Sequence, residues 1–287
     1  MKSAEVRKMA SQAIEELSMA LDDGHSESLK AYLAMLGRFH RYSIGNVLLI
    51  GMQRPCATRV AGYRTWLRLG RQVREGQRAI RILAPIRYRS RAKRGGRENE
   101  SEQKDDRTEE VLAFKPAAVF DVSQTDGEPL AEFARVSGDP AEHLSRLKDL
   151  VLSRGIMLEY TNRIGSAQGA SSGGKIFLRT DLVPAEEFST LVHELAHEML
   201  HQGNTERSKT VRETEAEAVA FVVNQAIGLV SGTASSDYVQ LYDGKKETLL
   251  ASLERIRGTA GEIIEAVLAE PEQGTGQGTQ QEALAAA

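Results

Sequence analysis

Apolar residues recur at helical spacing through the start of the chain. Val6, Met9, Ala13, Leu17 and Leu21 mark one face, which predicts a helix over 3–22 that Asp22-Asp23-Gly24 stops. Leu29, Tyr32, Leu33, Leu36 and Phe39 predict a second helix over 28–41, and a third follows over 44–52, ended near Pro55. The pattern then changes to alternation. Residues 59–63 and 79–88 read as strands, with a short helical turn over 65–69 closed by Gly70. Residues 89–110 are almost wholly charged or small and predict a long, mobile hairpin loop, with a partner strand over 111–122.

A second unit starts near Pro140. A helix over 141–154 and a strand over 156–160 lead to the bend GSAQGASSGG, followed by a strand over 175–179. The next helix spans 184–201. Pro184 suits its first turn, Glu186 and Glu187 favour its N-terminal dipole, and Gly203 lies just past its end. A helix over 211–229 is apolar on most faces and is expected to be buried. Residues 271–287 are low-complexity and read as a disordered tail. These elements predict an α+β chain of two domains, at 1–136 and 140–270, a division that 287 residues suits.

Charge adds a feature that hydropathy does not show. Between Arg38 and Arg97 stand fifteen arginines, one lysine (Lys93) and one acid (Glu75), a net +15 inside a chain of net charge −3. The remainder therefore carries −18. A segment this basic is a candidate polyanion-binding surface. Its arginines are interleaved with Tyr42, Tyr63 and Trp66. Guanidinium forks match phosphate oxygens and aromatic faces stack on unpaired bases, while no helix-turn-helix or zinc module is visible, so a single-stranded nucleic acid is the expected ligand. The candidate contacts are Arg38, Arg41, Tyr42, Asn46, Arg59, Tyr63, Arg64, Trp66, Arg68, Arg71 and Arg74. A single cysteine, Cys56, leaves no intrachain disulfide, suits a reducing cytoplasm and reads as a buried or half-buried apolar residue. The N-terminus lacks an apolar signal segment and no uncharged apolar run is long enough to span a bilayer, so no membrane partner is expected.

The candidate chemistry lies in LVHELAHEMLH, residues 191–201. Positions four apart share a helix face, so His193 and His197 can reach one cation, with Glu194 placed beside it as general base. Such a cation acidifies bound water toward neutral pH and makes it a hydrolytic nucleophile. The third ligand is sought in ETEAEAVAF on the next helix. Glu213 and Glu217 share a face, whereas Glu215 points away by about 160° at 100° per residue. Glu213 is the expected ligand and Glu217 the group that orients an imidazole. His201 lies roughly 12 Å along the axis from His193 at 1.5 Å per residue, and a capping or surface role is expected for it. Zn²⁺ is the expected ion, although Mn²⁺, Co²⁺ or Ni²⁺ suit the same donors. Tyr160, Tyr238 and Tyr242 remain equal candidates for an oxyanion stabiliser.

Two resemblances follow. HELAH with Glu213-Thr-Glu-Ala-Glu217 is similar to the gluzincin metallopeptidases. That implies the first acid as third zinc ligand, and the acid four later as support for a zinc-binding histidine, here Glu in place of the usual Asp. It also implies that KIFLR before the helix is a sheet edge that pairs with an extended peptide substrate. More specifically, YSIGNVLLIGMQRP, then RVAGYRTWLRLGRQVREGQRAIRILAPI, then VFDVSQTDG resemble the N-terminal domain of ArdC-type antirestriction proteins, over roughly 30–125 and, through the HELAH unit, 150–225. Ser43, Asn46, Tyr63, Trp66, Gly70 and Gln124 are positions of that motif. The resemblance implies a domain binding single-stranded DNA joined to a zincin-like (gluzincin-type) metallopeptidase domain, on a mobile element whose incoming DNA it protects from restriction. An unknown protein or peptide substrate is implied. A DNA-binding protein whose metal is only structural, or a regulatory protease that cleaves a repressor, stay open beside it.

Overall fold

A computed structural model describes residues 2–89, 110–128, 140–203, 207–229, 241 and 245–269. Three helices open the chain: α1 (Ser3–Asp22), α2 (Ser26–Arg38) and α3 (Ile44–Gln53). A small α+β unit follows, with β1 (Val60–Gly62), α4 (Tyr63–Arg68), β2 (Arg71–Val73), β3 (Ile80–Arg89), β4 (Glu110–Asp121) and β5 (Thr125–Gly127). The second half holds α5 (Ala141–Ser153), β6 (Met157–Tyr160), β7 (Gly169–Ser171), β8 (Lys175–Leu178), α6 (Pro184–His201), α7 (Lys209–Ala226) and α8 (Lys246–Leu268). No helix among the described residues is long and apolar enough to cross a membrane.

Strands β1, β4 and β3 form an antiparallel sheet in that order, which makes β3 an edge. Helix α3 covers that edge. Asn46 donates to Leu83 O and accepts from Leu83 N, both at 2.9 Å. Two turns on, Gln53 donates to Arg81 O and accepts from Arg81 N, also at 2.9 Å. Two side-chain amides thus pair with backbone groups that a neighbouring strand would otherwise meet. At the far end of β4, buried Asp121 accepts from the backbone N–H groups of Thr58, Arg59 and Ser123. Burial opposes its ionisation, but these donors and the Ser123 hydroxyl hold its carboxyl below the ordinary value.

Strands β2 and β5 pair antiparallel, and in the third sheet β8 is central, parallel to β6 and antiparallel to β7. Helix α7 packs on α6, α8 and α2. One apolar core runs from Leu17 to Val267 through both halves of the chain. The expected division falls at 137–139, outside the described residues, and the core continues across it. The charged stretch read as a hairpin loop and the tail also lie largely or wholly outside them.

The helices follow their apolar periodicity, and α1 and α6 begin and end where it predicts. Three short strands, β2, β5 and β7, have no expectation behind them, because three residues carry no readable alternation. Helix α8 was legible through Leu249, Leu253, Ile256, Ala260, Ile263 and Val267, yet the pattern reading stops before it. All six residues are buried.

Gly37 sets the approach of α2 to α7. A Cβ there would stand 2.8 Å from the Val222 carbonyl oxygen and 3.2 Å from the Gln225 Cβ. Gly37→Ala gains roughly 1 kcal/mol of helix propensity but overpacks against backbone that cannot turn away. The expected net result is a loss of up to about 2 kcal/mol in urea unfolding. Gly45→Ala in α3, whose Cβ would meet only Ala10 at 3.7 Å, serves as the control, expected to gain up to about 1 kcal/mol with no overpacking.

Candidate metal centre and basic face

Helix α6 begins as expected, with Pro184 in its first turn and Glu186 and Glu187 near its dipole. Phe188, Leu191, Val192, Leu195 and Ala196 are buried, which leaves His193 and His197 on the opposite, partly open side. Helix α7 starts at Ser208, whose hydroxyl caps Val211 N at 3.2 Å, and runs back across α6. Asn224 on α7 donates to the Ser189 hydroxyl on α6 at 2.9 Å.

This crossing brings three donors together. His193 Nε2 and His197 Nε2 lie 3.1 Å apart. A Glu213 carboxylate oxygen lies 3.6 Å from the first and 3.4 Å from the second. Donors arranged tetrahedrally at about 2.0–2.1 Å from an ion stand about 3.3 Å from one another. The three separations bracket that value, so the residues fit a divalent ion. His193, His197 and Glu213 are also a group of possible metal donors within 4.8 Å of one another. Glu213 is half exposed, which leaves one side of the group open to solvent.

The surroundings prepare these donors. Burial first, and neighbouring His201, push the His193 imidazole below its ordinary value, while Glu213 opposes. Burial, then the charges of His193 and His201, take His197 down to about 4. Both rings are therefore neutral at neutral pH, as ligation requires. Glu217 reaches to 3.6 Å from His193 Nδ1, the side of that ring away from Glu213.

Glu194 is 7% exposed and points to the sheet. Burial, with the charges of Glu213 and Glu198 adding, raises its carboxyl to about 7, against an opposing hydrogen bond from Ser171 of β7. A group poised there can accept a proton at neutral pH. Gly169 makes the close approach possible, since a Cβ at that position would stand 2.7 Å from Thr190 Cγ2 and 2.9 Å from Glu194 Cγ. Glu198 accepts from Gly174 N at 2.8 Å and fastens the β7–β8 turn to the same helix.

Two expectations require correction here. KIFLR is not the sheet edge, because its strand β8 is flanked on both sides, and the edge beside α6 is β7. His201 is not a capping or surface residue. It is 7% exposed, its Nδ1 faces His197 Nδ1 at 3.1 Å, and its Nε2 contacts Glu215 at 2.9 Å. Glu215 is fully buried and pairs with Arg207 at 2.5 Å and Arg255 at 3.4 Å. The angular reading turned Glu215 correctly away from Glu213. Its partners come from other segments, so no local spacing announces them. Tyr160 donates to Glu187 at 2.5 Å, about 9 Å up the α6 axis from His193 at 1.5 Å per residue. Tyr238 and Tyr242 lie outside the described residues.

On the basic half, burial divides the expected contacts. Trp66 is fully buried and donates to Phe120 O at 2.9 Å, so it is core and offers no face to a base. Asn46 is bound to β3, and Gln124 is buried against Asp121 and Arg78 backbone, so both build the fold. Tyr42 is half-buried with its hydroxyl on Val60 O at 3.3 Å. Arg71 is spent on Thr125 and the β5 backbone, Arg74 on Ser123 O and Asp126, and Arg41 on Glu265. Arg38 reaches Ala57 O at 3.4 Å, and Arg59 is half-buried. The outer face of α4 differs. Tyr63 is 45% exposed, and Arg64 and Arg68 are exposed with no carboxylate partner among the described residues. Cys56 is exposed, contrary to expectation, because the loop after α3 turns it outward.

The fold places the chain among α+β proteins of known type. It aligns with the Mn(II)-bound crystal structure of the antirestriction protein ArdC from plasmid R388 at a TM-score of 0.52, with 16% sequence identity, over 91% of this chain and 98% of that one. Residues 5–120 match the family model for the N-terminal domain of anti-restriction factor ArdC. Residues 5–120 are thus similar to the ArdC N-terminal domain, and the fold as a whole is similar to that of the R388 protein. An uncharacterized Bacillus anthracis protein, pXO2-81, is 23% identical over 277 residues, covering 81% of this chain. The chain spans about half the length of that relative, 46%.

The Glu194 carboxyl gives a test in the metal-free protein. Its folded value near 7 exceeds that of an unfolded glutamate, so the native state holds the extra proton between about 4.5 and 7 and loses stability as pH rises through that window. Glu194→Gln removes this penalty. The variant is expected to exceed the wild type by up to about 3 kcal/mol at pH 8 and by little below pH 4.5, measured by urea unfolding in chelator.

Proposed function

We propose that this chain is an antirestriction protein of a mobile element that binds single-stranded DNA and carries a metal-dependent peptidase site. The observation that carries the reading is the convergence of His193, His197 and Glu213 beside a buried Glu194 raised to about 7. Zn²⁺ is the ion we assign, since two imidazoles and a carboxylate around an open position suit it, and Mn²⁺ is the chief competitor, given the ion in the R388 protein. When bound, such an ion supplies Lewis acidity to a carbonyl and to water. The protein's own part is to hold the ion at His193, His197 and Glu213, to turn the His193 ring through Glu217, and to receive a proton at the Glu194 carboxylate. The edge of β7, unpaired among the described residues, runs beside α6 and offers backbone groups to an extended peptide, in the way the zincin-like resemblance implies. Residues 140–270 are the proposed peptidase unit and 1–136 the DNA-binding unit, working on a shared core inside a cell.

For DNA, the α4 face is the preferred contact: Tyr63 as the stacking surface, with Arg64 and Arg68 on phosphates. Arg38 and Arg59 lie in the same basic half and extend the field. The alternative, DNA binding with a metal that only stabilises the fold, is separated by one variant. Glu194→Gln should keep stoichiometric metal and lose peptide hydrolysis, and retention of full antirestriction activity in cells would move the biological role to DNA binding alone.

Binding of a fluorescent oligonucleotide checks the other half. Tyr63→Ala is expected to cost about 1–3 kcal/mol of single-strand affinity, the usual worth of one stacked base. Arg64→Ala and Arg68→Ala should each flatten the salt dependence by about 0.7 in slope. A response to salt that is flat in the wild type would remove the nucleic-acid reading.

A further inference from the structure

Beneath the three donors lies a buried polar chain that the proposed chemistry does not use. It begins at Glu215, fully buried in the middle of α7 and held by Arg207 at 2.5 Å and Arg255 at 3.4 Å. Arg207 also donates to the Ser252 hydroxyl at 2.9 Å, and Arg255 to Leu200 O at 2.7 Å. The chain then runs from Glu215 to His201 Nε2 at 2.9 Å, and from His201 Nδ1 to His197 Nδ1 at 3.1 Å. His197 Nε2 ends it, 3.1 Å from His193 Nε2 and 3.4 Å from Glu213.

Resting on the reading of His193, His197 and Glu213 as ligands, we propose that Glu215 and His201 form a positioning relay that fixes the tautomer and orientation of His197 for metal. The proton count permits one arrangement. A ring that ligates through Nε2 keeps its proton on Nδ1. His197 Nδ1–H therefore donates, and His201 Nδ1 must accept. His201, accepting at Nδ1, then carries its proton on Nε2, and that N–H donates to the Glu215 carboxylate. Arg207 and Arg255 donate to the Glu215 carboxylate from the far side, and its remaining acceptor site faces His201, so every bond of the chain points one way. The relay supports His197 as Glu217 supports His193, so each imidazole has its own carboxylate, one direct and one through a second ring. Such outer partners commonly set metal affinity by 10–100-fold.

The relay has a consequence for α8. Arg255 and Ser252 belong to that helix, and through them it takes part in holding a ring on α6.

The test uses the full-length chain stripped of metal and titrated with Zn²⁺ against a chromogenic chelator, with urea unfolding of the metal-free protein beside it. His201→Phe keeps the ring volume and removes both nitrogens. It is expected to weaken zinc binding by about 10–100-fold. His201→Asn loses packing but places an acceptor near the former Nδ1, and should recover part of the affinity while folding less stably than the Phe variant. A packing role predicts the opposite order, with Phe binding as tightly as wild type, and that result overturns the relay. Absence of stoichiometric zinc in the wild type overturns the ligand reading and the relay with it, whereas normal zinc affinity in His201→Phe overturns the relay alone. Long-range ¹⁵N–¹H NMR of the zinc-loaded wild type needs no variant to fold. It should report His201 as the Nε2–H form, and an Nδ1–H form there overturns the proposal.

Discussion

The crossing of α6 over α7 is the constraint on which the candidate chemistry depends. Two histidines one turn apart on α6 define a line, and a point off that line requires a second helix at a fixed angle and depth. The contact is set by apolar residues of both helices and by the Asn224–Ser189 hydrogen bond. Its depth on the other side of α7 is set by Gly37 of α2. Side chains in a close-packed interior move little, so Glu213 inherits its position from residues that never touch it. A metal group can therefore be specified by core packing as much as by its own three donors.

Burial assigns opposite tasks to neighbouring ionisable groups on one helix. On α6, desolvation makes His193 and His197 harder to protonate and Glu194 harder to ionise. The same physical cost thus yields neutral donors and a proton acceptor near neutral pH. Gly169 contributes by absence, because a side chain there would occupy the space of the Glu194 stem. The β7 strand can then lie against the helix and lend Ser171 to the carboxylate.

What the sequence reveals tracks how local the information is. Helix α6, its Pro184 start, the shared face of His193 and His197, and the turning of Glu215 away from Glu213 all follow from 100° per residue, and they were readable. The edge strand was misplaced to KIFLR, because glycine and serine in β7 look like a bend, and only sheet order shows which strand lacks a neighbour. His201 was read as peripheral for a related reason. Its distance from His193 is a helix property, but its burial depends on Arg207 and Arg255 arriving from elsewhere. Composition identified a basic half, yet could not sort Trp66, which faces Phe120, from Tyr63 three residues earlier, which faces water. Asn46 and Gln124 show how a motif position can serve backbone pairing.

The uninterrupted core carries a consequence for how such a chain could be dissected. Leu17 and Leu21 of α1, Leu33 and Leu36 of α2, and Val222 and Val223 of α7 belong to the same apolar mass as α8. Cutting between the two halves would expose apolar surface on each. The outer face of α4 and the His193–His197–Glu213 group, built on such a common base, keep a set spacing and heading, with no tether to adjust.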